Sequence, residues 1–300
     1  MDYSEMIQKF SWPQDYVDLP IEHFEQLDEV ISIPTEVCHY TSKEKALEKI
    51  LKNKNIRLGN ITSTNDPKES KQRWLVYFNR EFFSSEAGPC NEEEQTILKE
   101  WKIFCTCCHN NPSSEFIKDN PKQEIEHSQY GVARPSMWAH YAGNHSGVCI
   151  VFDGKKLDEN IRNELKDKQT EIFHGFVRYD YEKSTSWIKV IPSEGSTHKK
   201  IDEIRSSMIK NYDENFLYKS PDWKSEREFR WLIQSQDTSE IFVSIENAIK
   251  AVIVGVDFDE VYEPSLKILC EQLGIPAGRI RWENGVPYAR RDSIYKPITA

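Results

Sequence analysis

The stretch from Trp223 to Ile233 contains the residue types that acid–base chemistry requires. On a strand, Glu226, Glu228 and Arg230 would share one face, because alternate side chains of a strand point to the same side. Two neighbouring carboxylates raise the pKa of one of them, while a guanidinium lowers the pKa of the other, and this separates acid and base roles. A solvated face with cross-strand ion pairs is the competing interpretation, and the sequence leaves both open.

A second polar set lies at His39, Tyr40 and Thr41. If this segment is a strand, His39 and Thr41 project from one face and could hold a ribose or an amide by hydrogen bonds. Thr41 also precedes Glu44 by three residues, which is the spacing of a capping box, so helix capping explains it as well. A buried, hydrogen-bonded His39 is the alternative for the imidazole.

Aromatic residues form a third set. Trp138 and Tyr141 are three residues apart, so on a helix they would make one aromatic wall, with His140 beside it. Such a wall suits a flat ligand, and it equally suits a core. The five-residue spacing of His140 and His145, without a paired cysteine or carboxylate nearby, does not predict a metal site.

Two further residues complete the candidate binding set. Asn65 belongs to the polar turn Asn65-Asp66-Pro67 with Glu69, which either contacts a ligand or only shapes the backbone. Arg57 is one of several cations that could form a local basic groove.

The sequence predicts both helices and strands as the elements that position these residues. Beyond the first strand and its helix, a helix is predicted through Arg73 to Phe78, and residues 109–135 form a long polar excursion. Further strands are predicted near 103–108, 147–152, 176–179, 228–233, 241–243 and 251–256, and helices near 200–216 and 262–273. Because strands follow one another with short connections, the fold class is α+β, with a mixed, largely antiparallel or split sheet flanked by helices and a polar cleft. Residues 1–35 form an N-terminal appendage, and residues 36–300 form a single α+β domain.

Composition limits the functional classes. The chain has 300 residues and a net charge of -10, which argues against a general affinity for the nucleic-acid backbone but leaves room for a local basic groove. Its seven cysteines are odd in number and lie mostly in apolar stretches, so reduced thiols are expected. No leader pattern and no apolar run of about 20 residues is visible, and a cytoplasmic protein without a membrane partner is expected.

Several of these motifs together resemble a known family. They are Cys38-His39-Tyr40-Thr41, Asn65-Asp66-Pro67, Met137-Trp138-Ala139-His140-Tyr141 and Trp223 with Glu226, Glu228 and Arg230. In this order they resemble the bacterial domain-of-unknown-function family 2971 (DUF2971) over about residues 37–235. The chain departs from that family at Cys105-Thr106-Cys107-Cys108, where a Cys-Phe-Ser-like strand is expected. The resemblance implies a fold and a pocket rather than a reaction.

The chain has a His on its first strand, a helix after it, an aromatic wall and a late strand with a Glu-x-Glu pattern. This order is also similar to the layout of ADP-ribosyltransferases. This similarity implies an enzyme that cleaves NAD, its substrate, at the nicotinamide–ribose bond and transfers ADP-ribose to a macromolecular acceptor, a protein or a nucleic acid, without a metal. Glu228, Glu226 and His39 would be the catalytic residues. Glu228 would stabilise the oxocarbenium-like transition state, and Glu226 would activate the acceptor. Such domains are often toxins or antiphage defence effectors, which extends the hypothesis to that role.

The same similarity implies a set of nucleotide-binding residues. His39 and Thr41 would hold the nicotinamide ribose, and the ring would stack on Tyr141 or Trp138. The complete set expected to bind the nucleotide is His39, Tyr40, Thr41, Arg57, Asn65, Trp138, His140, Tyr141 and Arg230. The chain has no Gly-rich phosphate loop. A non-catalytic nucleotide- or nucleic-acid-binding module, and hydrolysis by the carboxylate pair, are the alternatives.

Overall fold

The computed structural model describes residues 33–66, 69, 75–77, 96–108, 131–184, 188–190, 197–283 and 286–295. The chain divides into two compact units. The first unit comprises residues 1–54, 107–155 and 246–300, and the second comprises residues 55–106 and 156–245.

The strands and helices alternate irregularly along the chain. The strands are β1 Glu36–Thr41, β2 Asn55–Asn60, β3 Leu75–Tyr77, β4 Trp101–Cys108, β5 Val148–Asp153, β6 Thr170–Phe176, β7 Arg178–Tyr179, β8 Ile188–Val190, β9 Tyr218–Lys219, β10 Glu228–Ser235, β11 Ile241–Ser244, β12 Ile249–Val254, β13 Ala277–Glu283 and β14 Val286–Tyr295. The α-helices are α1 Pro135–Tyr141, α2 Gly154–Leu165, α3 Tyr181–Ser184, α4 Thr197–Lys210, α5 Tyr212–Phe216 and α6 Glu263–Leu273. A π-helix spans Lys45–Leu51, and 3-10 helices span Ile61–Ser63, Pro221–Glu226 and Glu260–Tyr262.

The first unit is built around strand β5. Its apolar run Val148 to Phe152 is 0% exposed, as expected for a strand covered on both faces. Strand β1 pairs with β5 in antiparallel register, from Glu36 opposite Asp153 to Thr41 opposite Val148. On the other side β12 is antiparallel to β5, β13 is parallel to β12, and β14 is antiparallel to β13. Strand β1 also pairs with β4, with Val37 opposite Cys108 and Cys38 opposite Cys107, so it lies inside the sheet rather than at its edge.

Helix α6 connects the parallel strands β12 and β13. A proline in its first turn fits the start of a helix, and Gly274 ends it in the left-handed conformation, with φ 65°. The backbone N–H of Gly274 donates to the carbonyl of Cys270. The helix buries Leu266 and Cys270, so its packing follows the apolar face of its sequence.

The second unit is built around strand β10, all of whose residues are buried. Strand β6 runs antiparallel to it, from Phe176 opposite Phe229 to Thr170 opposite Ser235. Strand β4 also pairs with β10, and the Thr106 hydroxyl donates to the carbonyl of Phe229 at 2.9 Å. Strand β2 is antiparallel to both β4 and β11. The charged start of β10 thus lies inside packed structure.

The core of the second unit is aromatic and aliphatic. Trp101 contacts Phe216 and Phe173, with ring centroids 4.5 Å and 5.9 Å apart. The buried members of this core are Ile61, Ile97, Leu98, Trp101, Ile103, Ile204, Met208, Phe216, Leu217 and Leu232. Phe216 and Leu217 of this core directly precede strand β9, which ends at Lys219.

The expected fold class is confirmed. The sheet is mixed and largely antiparallel with flanking helices; among the described strands the parallel pairs are β12 with β13, β3 with β8, and β7 with β9. The helix predicted through Arg73 to Phe78 is wrong for Leu75–Tyr77, which form a strand, because pairing with β8 outweighs local propensity. The expected polar cleft and the division into residues 1–35 and 36–300 stay predictions. Residues 1–32 and 109–130 lie outside the described part.

The first helix does not begin with a capping box formed by Thr41 and Glu44. Thr41 remains in β1, and the hydroxyl oxygen of Ser42 accepts a hydrogen bond from the backbone N–H of Lys45 at 3.4 Å. The adjoining π-helix buries Leu47, Ile50 and Leu51. In the described ranges, no helix combines the length and the apolar character needed to cross a membrane.

Candidate functional site

Two short elements bring Glu226 and Glu228 together. The 3-10 helix Pro221–Glu226 starts after Ser220, whose hydroxyl oxygen accepts a hydrogen bond from the backbone N–H of Asp222 at 3.4 Å. Arg227 then takes the left-handed conformation, with φ 46° and ψ 56°. This residue ends the 3-10 helix and lets β10 begin at Glu228. Glu226 therefore lies outside the strand that was expected to carry it.

Five buried charged residues meet at this point, and we call them the charged cluster. They are Glu69, Lys219, Glu226, Glu228 and Arg230. None is more than 5% exposed. The interpretation of this strand face as a solvated surface is therefore wrong, because the face is covered by other parts of the second unit.

Arg230 is the most buried member, with 0% exposure. Its Nε and Nη2 donate to the Oε1 and Oε2 atoms of Glu228, both at 2.8 Å. Its Nη1 donates to Oε1 of Glu69 and, at 2.6 Å, to the carbonyl of Phe216. A two-point guanidinium–carboxylate pair fixes direction as well as distance, so Arg230 sets the plane of the Glu228 carboxylate.

Lys219 joins the two carboxylates of the Glu-x-Glu pattern. Its Nζ lies 2.9 Å from Oε2 of Glu226 and 2.9 Å from Oε2 of Glu228. The same amine lies over the ring of Trp223, 5.3 Å from its centroid. One cation thus holds both carboxylates within a few ångströms of each other.

Electrostatics keep Glu228 ionised. Burial alone would raise its pKa, but the charges of Arg230 and Lys219 outweigh burial and lower the pKa to about 2. For Lys219, burial would lower the pKa, and the charge of Glu228 outweighs it, so the pKa is raised.

Two uncharged groups also contact Glu228. The Tyr179 hydroxyl oxygen accepts a hydrogen bond from the Glu228 backbone N–H at 2.9 Å. The Cys105 thiol hydrogen-bonds to the Glu228 carboxylate, and burial followed by the Glu228 charge raises the pKa of that thiol. Burial, again followed by Glu228, raises the pKa of Tyr179. Both groups are therefore protonated donors or acceptors at neutral pH rather than anions.

The predicted residues Tyr40 and Trp138 pack together in the first unit. The Tyr40 hydroxyl donates to the carbonyl of Gly131 at 2.6 Å, and the Trp138 indole N–H donates to the carbonyl of Val132 at 2.8 Å. Their rings meet edge to face, 5.0 Å apart. Tyr40 is 5% and Trp138 0% exposed, so contact of the Trp138 ring with a nicotinamide would require the ring to become exposed.

Of the other predicted residues of the first unit, Thr41 is also buried, and His39, His140 and Tyr141 are more accessible. His39 is half-buried on β1 and Thr41 is 6% exposed on the same strand. His140 is exposed at the end of α1, and Tyr141 is half-buried, with the two rings 6.4 Å apart. Their predicted roles toward a nucleotide stay predictions. In the described part of the chain, no three His, Cys, Asp or Glu side chains are grouped as a metal ion would require.

Arg57 and Asn65 belong to the second unit and lie at its surface. Arg57 Nη1 pairs with Oε1 of Glu240 at 2.5 Å, and both side chains are about 60% exposed. Asn65 is exposed, and the turn after it instead contributes Glu69, whose backbone N–H donates to the carbonyl of Asp66 at 3.0 Å. The structure thus brings Glu226, Glu228 and Arg230 together within the second unit, whereas the predicted residues of β1 and α1 belong to the first unit.

Glu69 and Lys219 are the site residues that the sequence analysis missed. Glu69 was interpreted as part of a polar turn, and Lys219 was only one of several cations that could converge. One signal was available for Lys219: it directly follows the apolar run Phe216-Leu217-Tyr218, where a buried lysine needs a carboxylate partner.

The fold and site define the class: an α+β protein with a buried ion-pair cluster at the start of a sheet strand. Residues 137–231 match the family model described as "Protein of unknown function (DUF2971)", which confirms the resemblance over that stretch. The matched residues include Lys219, Glu226, Glu228 and Arg230 of the charged cluster. No curated protein and no solved structure matches the chain.

Proposed function

We propose that the chain is an ADP-ribosyltransferase-like enzyme that cleaves NAD at the nicotinamide–ribose bond and transfers ADP-ribose to a macromolecular acceptor. The observation that carries this proposal is the Glu228 carboxylate, which is 5% exposed and held ionised by Arg230 and Lys219. An oriented anion in a water-poor setting is what a developing carbocation needs.

The chemistry follows from where charge develops. When the bond between C1′ of the ribose and the nicotinamide nitrogen breaks, its electron pair neutralises the pyridinium ring and positive charge appears on the sugar. A carboxylate near C1′ stabilises this oxocarbenium-like state, as carboxylates do in glycoside chemistry. An acceptor nucleophile then forms the new bond to C1′ and loses its proton.

Each member of the charged cluster has a proposed role. Glu228 stabilises the cationic sugar, and Glu226 receives the proton of the acceptor. Lys219, 2.9 Å from both carboxylates, holds them side by side, and Arg230 fixes the carboxylate plane of Glu228. Neither cation is expected to touch the substrate, so both are positioning residues.

For the nicotinamide riboside half of NAD, the proposal relies on the sequence resemblance. His39, Thr41 and Tyr141 belong to the first unit, and their expected roles, which are to hold the ribose and to stack on nicotinamide, rest on that resemblance alone. A role as a toxin or antiphage defence effector would follow from transfer to an essential acceptor.

The decisive test is an NAD consumption assay on the purified chain. Purified protein is incubated with NAD and a cell lysate, and nicotinamide release and label transfer to macromolecules are followed. We expect Glu228→Gln to reduce nicotinamide release by at least about 100-fold, the size of effect seen on removal of one charge-stabilising group.

Glu100→Gln is the matched control. Glu100 is 5% exposed in the same unit and forms a two-point pair with Arg205, at 2.8 Å and 2.9 Å, so it resembles Glu228 in burial and pairing. Equal losses in the two variants would assign the effect to folding. An absence of NAD consumption by folded wild-type protein, with protein, DNA and RNA acceptors supplied, would favour the non-catalytic binding module.

A further inference from the structure

The hydroxyl group of Tyr179 lies beside the charged cluster. Its oxygen accepts a hydrogen bond from the backbone N–H of Glu228 at 2.9 Å. In the part of the chain that the structure describes, this hydroxyl donates to no acceptor of its own. A phenol both accepts and donates, so one hydrogen bond is still available at this position.

The backbone fixes Tyr179 next to two members of the charged cluster. Strand β7 runs parallel to β9, and their register places Tyr179 opposite Lys219. The backbone N–H of Val177 donates to the carbonyl of Glu228 at 2.9 Å, and that of Asp180 donates to the carbonyl of Lys219 at 3.1 Å. Backbone hydrogen bonds on both sides of Tyr179 therefore set its position.

Solvent reaches Tyr179, although it does not reach most side chains that contact Glu228. Lys219 and Arg230 are 4% and 0% exposed, whereas Tyr179 and Cys105 are partly exposed. The Cys105 thiol hydrogen-bonds to the Glu228 carboxylate, which lowers the pKa of that carboxyl. The thiol proton is thus engaged, and the Tyr179 hydroxyl is the accessible donor beside Glu228 that a substrate can use.

The phenol keeps its proton at neutral pH. Burial, followed by the negative charge of Glu228, raises the pKa of Tyr179. A neutral donor suits an uncharged oxygen acceptor. The hydroxyl lies at the backbone end of Glu228 and the carboxylate lies at the far end of the side chain, so the two groups can contact different parts of one substrate.

Nicotinamide carries an acceptor of this kind, its carboxamide oxygen. If C1′ of the ribose lies at the Glu228 carboxylate, part of the pyridine ring separates C1′ from that oxygen. When the bond between C1′ and the ring nitrogen breaks, its electron pair passes to the ring and the carboxamide oxygen gains electron density. A hydrogen bond to this oxygen is then stronger in the transition state than in the ground state, which is the condition for catalysis.

We propose that Tyr179 is a catalytic residue whose hydroxyl donates a hydrogen bond to the carboxamide oxygen of the departing nicotinamide. Tyr179 keeps its proton throughout, so no second group has to return one. The proposal rests on the proposed function and deepens it, because it names the residue that binds the leaving half of NAD. That contact belongs to the second unit, as Glu228 does.

Tyr179→Phe removes the hydroxyl and keeps the ring. For nicotinamide release from NAD, we expect kcat to fall about tenfold with KM within about twofold, because the hydrogen bond strengthens only as the ring leaves. Tyr212→Phe is the matched control. Tyr212 is a partly exposed tyrosine of the same unit whose ring stacks on Phe173, with centroids 4.2 Å apart, outside the charged cluster. Its loss should leave kcat within about twofold.

A second substrate separates the contact with nicotinamide from the placement of Glu228. In thionicotinamide adenine dinucleotide, sulfur replaces the carboxamide oxygen, and sulfur is a weak acceptor. We expect Tyr179→Phe to lower kcat for this substrate by about twofold or less. An equal loss with both substrates would assign Tyr179 to folding or to the placement of Glu228 and overturn the proposal.

The same measurements separate this proposal from the proposed function. Nicotinamide release that is unchanged in Tyr179→Phe, or reduced equally in Tyr212→Phe, would overturn the role of Tyr179 and leave the transferase standing. No release by folded wild-type protein would contradict the transferase and the role of Tyr179 with it.

Discussion

Arg230 is the residue on which the charged cluster depends. It is 0% exposed and contacts Glu228, Glu69 and the carbonyl of Phe216. A buried ion pair adds little net stability over an apolar packing, because the charges lose their hydration. Removal of one partner lowers the stability much more, because the remaining charges stay buried without an opposite charge beside them.

We therefore predict that Arg230→Met lowers the free energy of unfolding by about 3–5 kcal/mol. Arg57→Met is the comparison, because the Arg57–Glu240 pair is about 60% exposed on both sides. Its loss should change the free energy of unfolding by about 1 kcal/mol or less. Urea denaturation of the three proteins measures both. A small effect at Arg230 would mean that water reaches the charged cluster.

The lowered pKa of Glu228 gives a pH prediction. The unfolded chain has a glutamate pKa of about 4.3, so near that pH the unfolded state binds the proton more readily than the folded state. The stabilisation by ionised Glu228 is complete above this pH and is lost as the pH falls toward the folded value of about 2. The wild-type free energy of unfolding should therefore fall with acid.

Glu228→Gln lacks this titration. The difference in free energy of unfolding between wild type and Glu228→Gln should shrink as the pH is lowered from about 6 to about 3. Urea denaturation across that range measures the difference. A constant difference would show that Glu228 titrates alike in the folded and unfolded states.

At the scale of elements, two glycines of the first unit bear different constraints. Gly274 ends α6 with φ 65°, and a Cβ there would meet nothing within 4 Å. Gly255 follows β12, and a Cβ there would lie 1.8 Å from the carbonyl oxygen of His145. One position is limited by backbone conformation and the other by the close approach of a neighbouring chain segment.

We predict that Gly274→Ala costs about 1 kcal/mol, from the left-handed conformation alone. Gly255→Ala should cost more, because the backbone of residue 145 must move. Thermal denaturation with matched heating rates compares the two variants. A reversed order of melting temperatures would mean that the segment around His145 moves freely.

Local sequence patterns predicted the positions of strands better than they predicted which strand faces are buried. The apolar run of β5 and the start of β10 at Glu228 follow from residue types that are adjacent in the sequence. Strand alternation also grouped Glu228 with Arg230. It could not show that this face is buried, because the cover includes Glu69, 161 residues before Arg230. A contact of that separation leaves no periodic signal in either segment.

Strands β13 and β14 and the role of Lys219 were not predicted from the sequence, and the cause is the same. The charged, alternating strands β13 and β14 are stabilised by pairing with each other and with β12, not by an apolar run. Glu226 and Glu228 lie on either side of Arg227, which is in the left-handed conformation. Lys219 is a site residue because its amine contacts both carboxylates. Pairing and chain reversal are tertiary properties, and sequence patterns report them only indirectly.

At the scale of the whole molecule, the family match and the charged cluster overlap. Residues 137–231 include parts of both compact units and four members of the charged cluster, Lys219, Glu226, Glu228 and Arg230. Comparison with other chains that match this family model can therefore test the proposed reaction.

The interleaving of the two units restricts how this protein can change over evolutionary time. The chain passes from one unit to the other after residues 54, 106, 155 and 245. Neither unit is a continuous stretch, so a single recombination event cannot exchange one for a relative's copy without splitting the other. The two units are thus expected to be inherited together.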